Sequence, residues 1–238
     1  MRYLITFSYD GSKYNGYQKQ VNKNTVQDKI EEALFKITKE KISIHASGRT
    51  DAKVHALNQK AHFGLEKRIK DLKNALNHHL PKDIHVKSLE EVDSNFHARF
   101  NVKTKEYIYK INIGEYNPLE KDYVYQYNKK LNIKKMKKAL KDLKGTHNFK
   151  TFSKTDETKN NYVRTITKVS MTLKKDILTI SFKGTGFLRY MVRNMVGTLI
   201  EIGEGKGYKI KELLFLEDRT KAGKTAHPEG LYLKDVNY

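Results

Sequence analysis

The chain has 238 residues, with 47 Lys and Arg against 27 Asp and Glu, and its formal net charge of +20 favours a polyanionic partner such as nucleic acid. It contains no cysteine, which excludes disulfides, thiolate nucleophiles and cysteine-based zinc or iron–sulfur sites. No apolar run approaches the roughly 18 residues of a membrane-spanning helix, and the N-terminus lacks a signal-peptide pattern, so we expect a cytoplasmic location.

The first half of the chain predicts the order strand, helix, strand, strand, helix, strand. "RYLITFSYD" alternates apolar and polar side chains as a strand does. Thr25 and Asp28 have capping-box spacing at the start of the helix "NTVQDKIEEALFKI". "KISIHA", "VHALNQKAHF" and "DIHVKSLEEV" are further strands, and a second helix ends at Pro81. This order is typical of the split βαβ, ferredoxin-like arrangement that many RNA-binding sheets use.

The second half resembles the first in kind. It predicts a strand at "TKEYIYKINIG", a helix at "IKKMKKALKDL", a hairpin from "VRTITKVSMTLK" and "DILTISFKG", a buried apolar helix at "FLRYMVRNMVGTLIEIG", a helix at "IKELLFLED" and a closing strand at "EGLYLKDVNY". No glycine-serine or proline-rich linker separates the halves. We therefore predict an α+β fold of two ferredoxin-like halves, residues 1–103 and 104–238, that share a mostly antiparallel sheet.

Asp51, in "ASGRTDAKVHA", is the best-placed single reactive group. Arg193 is the only charge in the apolar stretch "MVRNMVG", and a buried cation needs a partner. If that partner is Asp51, the pair would keep the carboxylate ionised and oriented, as a nucleophile or base requires. An ordinary structural ion pair is an open alternative, and "SGRTD" also reads as a simple turn.

Arginine is scarce beside lysine, so each arginine is a candidate for a position that needs a planar, five-donor group. Four of the eight stand in distinctive contexts: Arg49, Arg99, Arg193 and Arg219. No histidine and carboxylate spacing fits a familiar metal motif, and "GEGKGY" lacks the register of a phosphate-binding loop.

The chain is rich in aromatic residues, with 15 Tyr and 10 Phe. Tyr107 and Tyr109 alternate in "EYIYK", and we expect one on each face of their strand. A tyrosine that faces a cleft can stack on an extracted base, a contact worth roughly 1–3 kcal/mol. Packing of both rings within a sheet is the alternative.

Six stretches in register, "YDGSKYNGYQ", "SGRTDAKVHALNQKAHF", "FHARFNVKTKEYIYKI", "GTHNFKTFS", "FLRYMVRNMVGTLIEIG" and "RTKAGKTAHPEGLYL", closely resemble the tRNA pseudouridine synthase A family. The similarity runs from about residue 3 to 233. The resemblance implies isomerisation of uridine in the tRNA anticodon stem-loop, at positions 38–40. It also implies two α+β halves around one sheet with a central basic cleft, a homodimer, tRNA as partner, and no metal or organic cofactor.

The resemblance also implies a role for each matching residue. Asp51 matches the catalytic aspartate, and Tyr107 matches the tyrosine that packs against the target uracil. Arg193 matches the arginine that pairs with the catalytic carboxylate. Arg49 matches an arginine that fills the gap in the base stack when the uridine swings out.

Three positions depart from the family pattern. Lys53 stands where Gly is usual, Tyr17 where Trp is common, and His227 where Pro is frequent. These departures leave open a synthase of the same family that acts on another RNA such as ribosomal RNA. A non-catalytic RNA-binding protein on the same fold is a further alternative, and the retention of Asp51, Tyr107 and Arg193 argues against it.

Overall fold

The computed structural model describes residues 1–154 and 161–238, which divide into two compact units. Unit 1 comprises residues 1–103 and 232–238, and unit 2 comprises residues 104–231. The closing strand, which the sequence assigns to the second half, lies in unit 1, because it pairs with a strand from the first half.

The strands in the described residues are β1 (Arg2–Tyr9), β2 (His45–Ala46), β3 (His55–Gly64), β4 (Ile84–Val92), β5 (Thr104–Asn112), β6 (Tyr125–Gln126), β7 (Gly145–Asn148), β8 (Val163–Lys174), β9 (Ile177–Gly184) and β10 (Leu231–Asn237). The α-helices there are α1 (Val26–Thr38), α2 (Leu72–His79), α3 (Ile133–Lys141), α4 (Met191–Gly203) and α5 (Ile210–Leu216). Short 3₁₀ helices cover Pro118–Glu120, Lys150–Phe152 and Arg219–Lys221.

Unit 1 is a sheet in the order β4-β1-β3-β10, with β2 paired to β3. β1 runs antiparallel to both β3 and β4, and α1 and α2 make the crossovers, so the predicted split βαβ arrangement is confirmed. The Thr25 hydroxyl accepts a hydrogen bond from the Asp28 backbone N–H at the start of α1, as the capping-box spacing predicts. The predicted strand over residues 41–46 is reduced to the last two residues.

Unit 2 is a sheet in the order β5-β9-β8-β7, with β6 running parallel to β5. The other pairs are antiparallel, and β8 and β9 form the predicted hairpin. α4 is buried along almost its whole length, as predicted, but it begins at Met191 rather than at Phe187. Tyr190 precedes it with φ +64°, a left-handed conformation that cannot continue a helix backwards.

The expected placement of Tyr107 and Tyr109 on opposite faces was wrong. Tyr107, Tyr109 and Ile111 are all buried, whereas the residues between them are partly exposed. Side chains two residues apart in a strand point to the same face, and here that face of β5 is the buried one.

Both units have the predicted α+β class, with mostly antiparallel pairing. A sheet shared by the two halves and a central basic cleft stay predictions. None of the helices in residues 1–154 and 161–238 is long and apolar enough to cross a membrane.

Candidate active site

The loop that carries Asp51 joins β2 to β3 and is fastened to the segment of residues 10–17 on both sides of the aspartate. The Tyr17 backbone N–H donates to the Thr50 carbonyl at 3.1 Å, and the Lys53 N–H donates to the Tyr14 carbonyl at 3.2 Å. The Asp51 side chain is half-buried, so it is partly accessible on a main chain that is fixed before and after it.

Two glycines allow these backbones to approach. A Cβ at Gly11 would lie 2.1 Å from the Val54 carbonyl oxygen, which is far inside van der Waals contact. Gly16 has φ +99°, and a Cβ there would lie 2.8 Å from the Thr50 carbonyl oxygen. The glycines of "YDGSKYNGYQ" therefore allow this segment to pack closely against the loop that carries Asp51.

Buried side chains support the same loop from beneath. The hydroxyls of Tyr9 and Thr50 are hydrogen-bonded at 2.7 Å, and Ser47 donates to Gln59 Oε1 at 2.7 Å. The Gln59 amide donates in turn to the Gly48 carbonyl at 3.0 Å. Burial raises the pKa of Tyr9 from 10.0 to about 12, so its hydroxyl stays neutral even at alkaline pH.

Arg49 and Lys53 are exposed on either side of Asp51. Lys53 has φ +63°, in the left-handed region that glycine enters without strain. The departure at position 53 therefore keeps a backbone shape suited to glycine, at a cost of roughly 1–2 kcal/mol for a residue with a side chain.

Tyr107 and Arg193 lie in unit 2, and both contact the segment that leads from β9 into α4. Tyr107 packs edge-on against Phe187, with ring centroids 5.1 Å apart and planes at 77°. The Arg193 guanidinium carbon lies 5.2 Å from the centroid of the Tyr190 ring, within cation–π range. Arg193 Nε also donates to the Ala226 carbonyl at 2.8 Å.

A stripe of polar side chains on α4 holds the segment to which Ala226 belongs. Asn194 and Thr198 are fully buried, Glu201 is nearly so, and the spacing of four and then three residues places all three on one helical face. We call residues 222–226 the strap, because this irregular segment lies along that face and hydrogen-bonds to it.

Glu201 has the strongest set of partners in the stripe. Its carboxylate accepts from the Lys224 backbone N–H at 2.8 Å, from Lys206 Nζ at 2.8 Å and from the Tyr208 hydroxyl at 3.0 Å. Burial alone would raise its pKa, but these hydrogen bonds outweigh burial and hold the pKa below its usual value.

The stripe is not among the site residues predicted from the sequence. The signal was present, because Asn194, Thr198 and Glu201 recur at helical spacing within an otherwise apolar segment. Arg219 was singled out by context but given no task, and no local pattern indicated that Tyr190 would lie beneath Arg193.

Asp51 and Arg49 thus share one loop of unit 1, and Tyr107 and Arg193 share contacts with one segment of unit 2. The pairing of Asp51 with Arg193 stays a prediction. Residues 1–154 and 161–238 contain no group of three or more His, Asp or Glu side chains that could hold a metal ion.

Comparison with known proteins decides the family. A family model described as tRNA pseudouridine synthase matches residues 5–101 and 139–238. The chain belongs to the tRNA pseudouridine synthase family. It is 43% identical over 241 residues to the tRNA pseudouridine synthase A of Thermosipho melanesiensis, covering 99% of this chain and 98% of the relative. It is also 43% identical over 246 residues to the protein of that name from Streptococcus pyogenes serotype M49, covering 100% of this chain and 99% of the relative.

The match confirms the family that the six motifs predicted and the isomerase class of the enzyme. Both matched ranges include site residues: the first contains Arg49 and Asp51, and the second contains Arg193 and the strap. Tyr107 lies between the two ranges, within the full-length alignments to the relatives.

Proposed function

We propose that this synthase converts uridine to pseudouridine in the anticodon stem-loop of tRNA, at positions 38–40, with Asp51 as the catalytic carboxylate. The observation that carries the proposal is the fastening of the Asp51 loop at Thr50 and Lys53 around a partly accessible side chain. A fixed backbone holds a reactive group in one orientation without closing it off from a substrate.

The reaction needs little more than a positioned carboxylate. The bond from ribose C1′ to N1 breaks, the uracil turns, and a bond from C1′ to C5 forms, while C5 loses a proton and N1 gains one. Atoms and electrons balance without a redox partner, so one ionised group that attacks the sugar or base, or removes a ribose proton, can suffice. The target base must first leave its stack, which costs a few kcal/mol.

The remaining site residues then have defined tasks. Arg193 pairs with Asp51 and keeps it ionised, Tyr107 packs against the turned-out uracil, and Arg49 fills the gap left in the RNA. The excess of lysine contacts phosphates, which position the RNA without reading its sequence. We expect a homodimer that acts on cytoplasmic tRNA and needs no metal or organic cofactor.

Release of tritium from tRNA transcripts labelled at uridine C5 tests this proposal, because only formation of the C5 bond expels that label. We expect the wild-type protein to release tritium in the presence of a chelator. Asp51→Asn should lower the rate by at least about 100-fold, the lower end for a positioned acid–base group, while RNA binding persists. Asp235→Asn is the matched control, since Asp235 is also half-buried in unit 1.

Activity of Asp51→Asn equal to the wild type, or a requirement for a metal, would overturn the mechanism. Mapping of pseudouridines in a deletion strain identifies the RNA. Loss of a ribosomal site with intact tRNA would replace the proposed substrate. A lack of turnover on all cellular RNA would leave only an RNA-binding role.

A further inference from the structure

The strap places a backbone carbonyl where it orients Arg193. The Arg193 Nε donates to the Ala226 carbonyl at 2.8 Å, and the Ala226 N–H donates back to the Arg193 carbonyl at 3.1 Å. A guanidinium that donates through Nε keeps its two terminal nitrogens in a defined plane. The direction in which Arg193 can meet a carboxylate therefore depends on where Ala226 lies.

The strap has no helix or strand of its own, so its position depends on α4. The Gly223 N–H donates to Thr198 Oγ1 at 3.0 Å, and the Lys224 N–H donates to Glu201. The strap lies so close to α4 that a Cβ at Gly197 would be only 1.7 Å from the Lys224 carbonyl oxygen. These contacts fix the middle of the strap against the central turns of the helix.

Arg219 holds the strap at its first and fourth residues. Its Nη1 donates to the Ala222 carbonyl at 3.3 Å, and its Nη2 donates to Thr225 Oγ1 at 3.0 Å and to Asn194 Oδ1 at 3.0 Å. Thr225 also donates to Asn194 Oδ1 at 2.7 Å. One guanidinium thus joins the first and fourth strap residues to the α4 residue that follows Arg193.

We propose that Arg219 is a positioning residue for the isomerisation, which acts through the strap and the Ala226 carbonyl to orient Arg193. Two separate nitrogens of one planar group bond the Ala222 carbonyl and the Thr225–Asn194 pair, whereas a lysine offers a single ammonium nitrogen. This inference rests on the proposed function, in which Arg193 pairs with the catalytic carboxylate.

Replacing Arg219 would also lower activity if its role were purely structural, so the experiment must detect coupling to Arg193. Arg219→Lys, Arg193→Lys and the double variant are compared in single turnovers with excess enzyme, using the tritium-release assay. The rate at saturating enzyme reports the chemical step, and the half-saturating enzyme concentration reports RNA binding.

We expect Arg219→Lys to lower the saturating rate by roughly 10- to 100-fold, since small misplacements remote from the reacting atoms have effects of this size. The half-saturating concentration should change less than about twofold. The double variant should be no slower than Arg193→Lys alone, because residues that act through one another are not additive. Arg68→Lys is the matched control: Arg68 is exposed in unit 1, pairs with Glu91 at 2.5 Å, and should be neutral.

Additive losses in the double variant, a loss confined to RNA binding, or an unchanged rate for Arg219→Lys would each overturn the inference. If Arg219→Lys does not stay folded at the assay temperature, Thr225→Val removes one acceptor of Arg219 and is judged by the same criteria, with Thr225→Ser expected to retain the rate. The two proposals fail differently. An inactive wild type contradicts the proposed function. Only this inference is contradicted if the wild type is active, Asp51→Asn is inactive and Arg219→Lys is fully active.

Discussion

The Asp51 loop in unit 1 and the Arg193 region in unit 2 are held in place by different kinds of bond. Backbone hydrogen bonds secure the loop, accepted by the Tyr14 carbonyl and donated by the Tyr17 N–H, and glycines make room for them. Side chains of α4 and Arg219 secure the strap that orients Arg193. A backbone-held loop tolerates changes of side chain but not of the glycines that bring chains together, whereas a network of side chains depends on residue identity.

The two departures from the family pattern in unit 1 agree with this contrast. Tyr17 reaches the loop through its backbone N–H, which any residue except proline supplies. Lys53 is joined to Tyr14 in the same way and keeps a left-handed backbone. Neither departure removes a hydrogen bond from the loop.

Gly11→Ala should have the largest effect on unit 1. The new methyl group would overlap the Val54 carbonyl, so the segment of residues 10–17 must move away from the Asp51 loop. We expect a loss of stability of roughly 1–3 kcal/mol and a loss of activity of about 100-fold. Thermal unfolding and tritium release measure the two. Gly207→Ala is the control, because a Cβ there meets no atom within 4 Å. Full activity of Gly11→Ala would contradict the view that close backbone packing holds the Asp51 loop.

The two units should lose stability in different pH ranges, because different groups titrate in them. In unit 1, burial lowers the pKa of His62 from 6.5 to about 4, and His97, His45 and Arg2 add to this by repulsion. The unfolded chain then binds more protons than the folded chain, so stability is lost as the pH falls from 6.5 towards about 4. In unit 2, the lowered pKa of Glu201 gives a contribution that is complete above pH 4.5 and is lost as the pH falls below it.

Melting temperatures from pH 7 to about pH 4.5 test this separation. His62→Gln should flatten the decline in that window, whereas Glu201→Gln should leave its slope unchanged. A wild-type melting temperature that is constant across the window would contradict the assignment to His62.

Tyr17→Phe should stabilise unit 1 modestly. The Tyr17 hydroxyl is buried and has no hydrogen-bond partner among the described residues, and burial raises its pKa well above the usual value. Removing an unsatisfied hydroxyl should add about 1 kcal/mol to the free energy of unfolding, measured in urea, without loss of activity. Tyr9→Phe is the opposite control, since it removes the bond to Thr50 and should cost about 1 kcal/mol. Equal effects of the two changes would refute this account.

Lys53→Gly should have the smallest effect. It relieves roughly 1–2 kcal/mol of left-handed strain, and the greater freedom of glycine in the unfolded chain opposes this by roughly 0.5–1 kcal/mol. We expect a net gain of no more than about 1.5 kcal/mol and unchanged single-turnover rates. Ala52→Gly, at a neighbouring position without positive φ, should only destabilise. A rate loss in Lys53→Gly would indicate that the lysine itself acts in the reaction.

Helices and strands that follow a local sequence pattern were predicted correctly. Thr25 and Asp28 predicted the start of α1, and alternation in "RYLITFSYD" predicted β1. Prediction failed where distant residues decide, as in the start of α4 at Met191 and the placement of the closing strand. Strand periodicity alone places Tyr107 and Tyr109 on one face, so the prediction of opposite faces was wrong on local grounds.

The sequence by itself determined the family, the isomerase class and most of the helices and strands, because motifs and periodicity are properties of neighbouring residues. Only the tertiary structure decided how Asp51 and Arg193 are held. The contacts responsible join residues far apart in the chain, such as Tyr17 with Thr50 and Arg193 with Ala226. Backbone carbonyls and N–H groups make many of these bonds, and every residue type carries the same carbonyl, so the letters of the sequence do not reveal them.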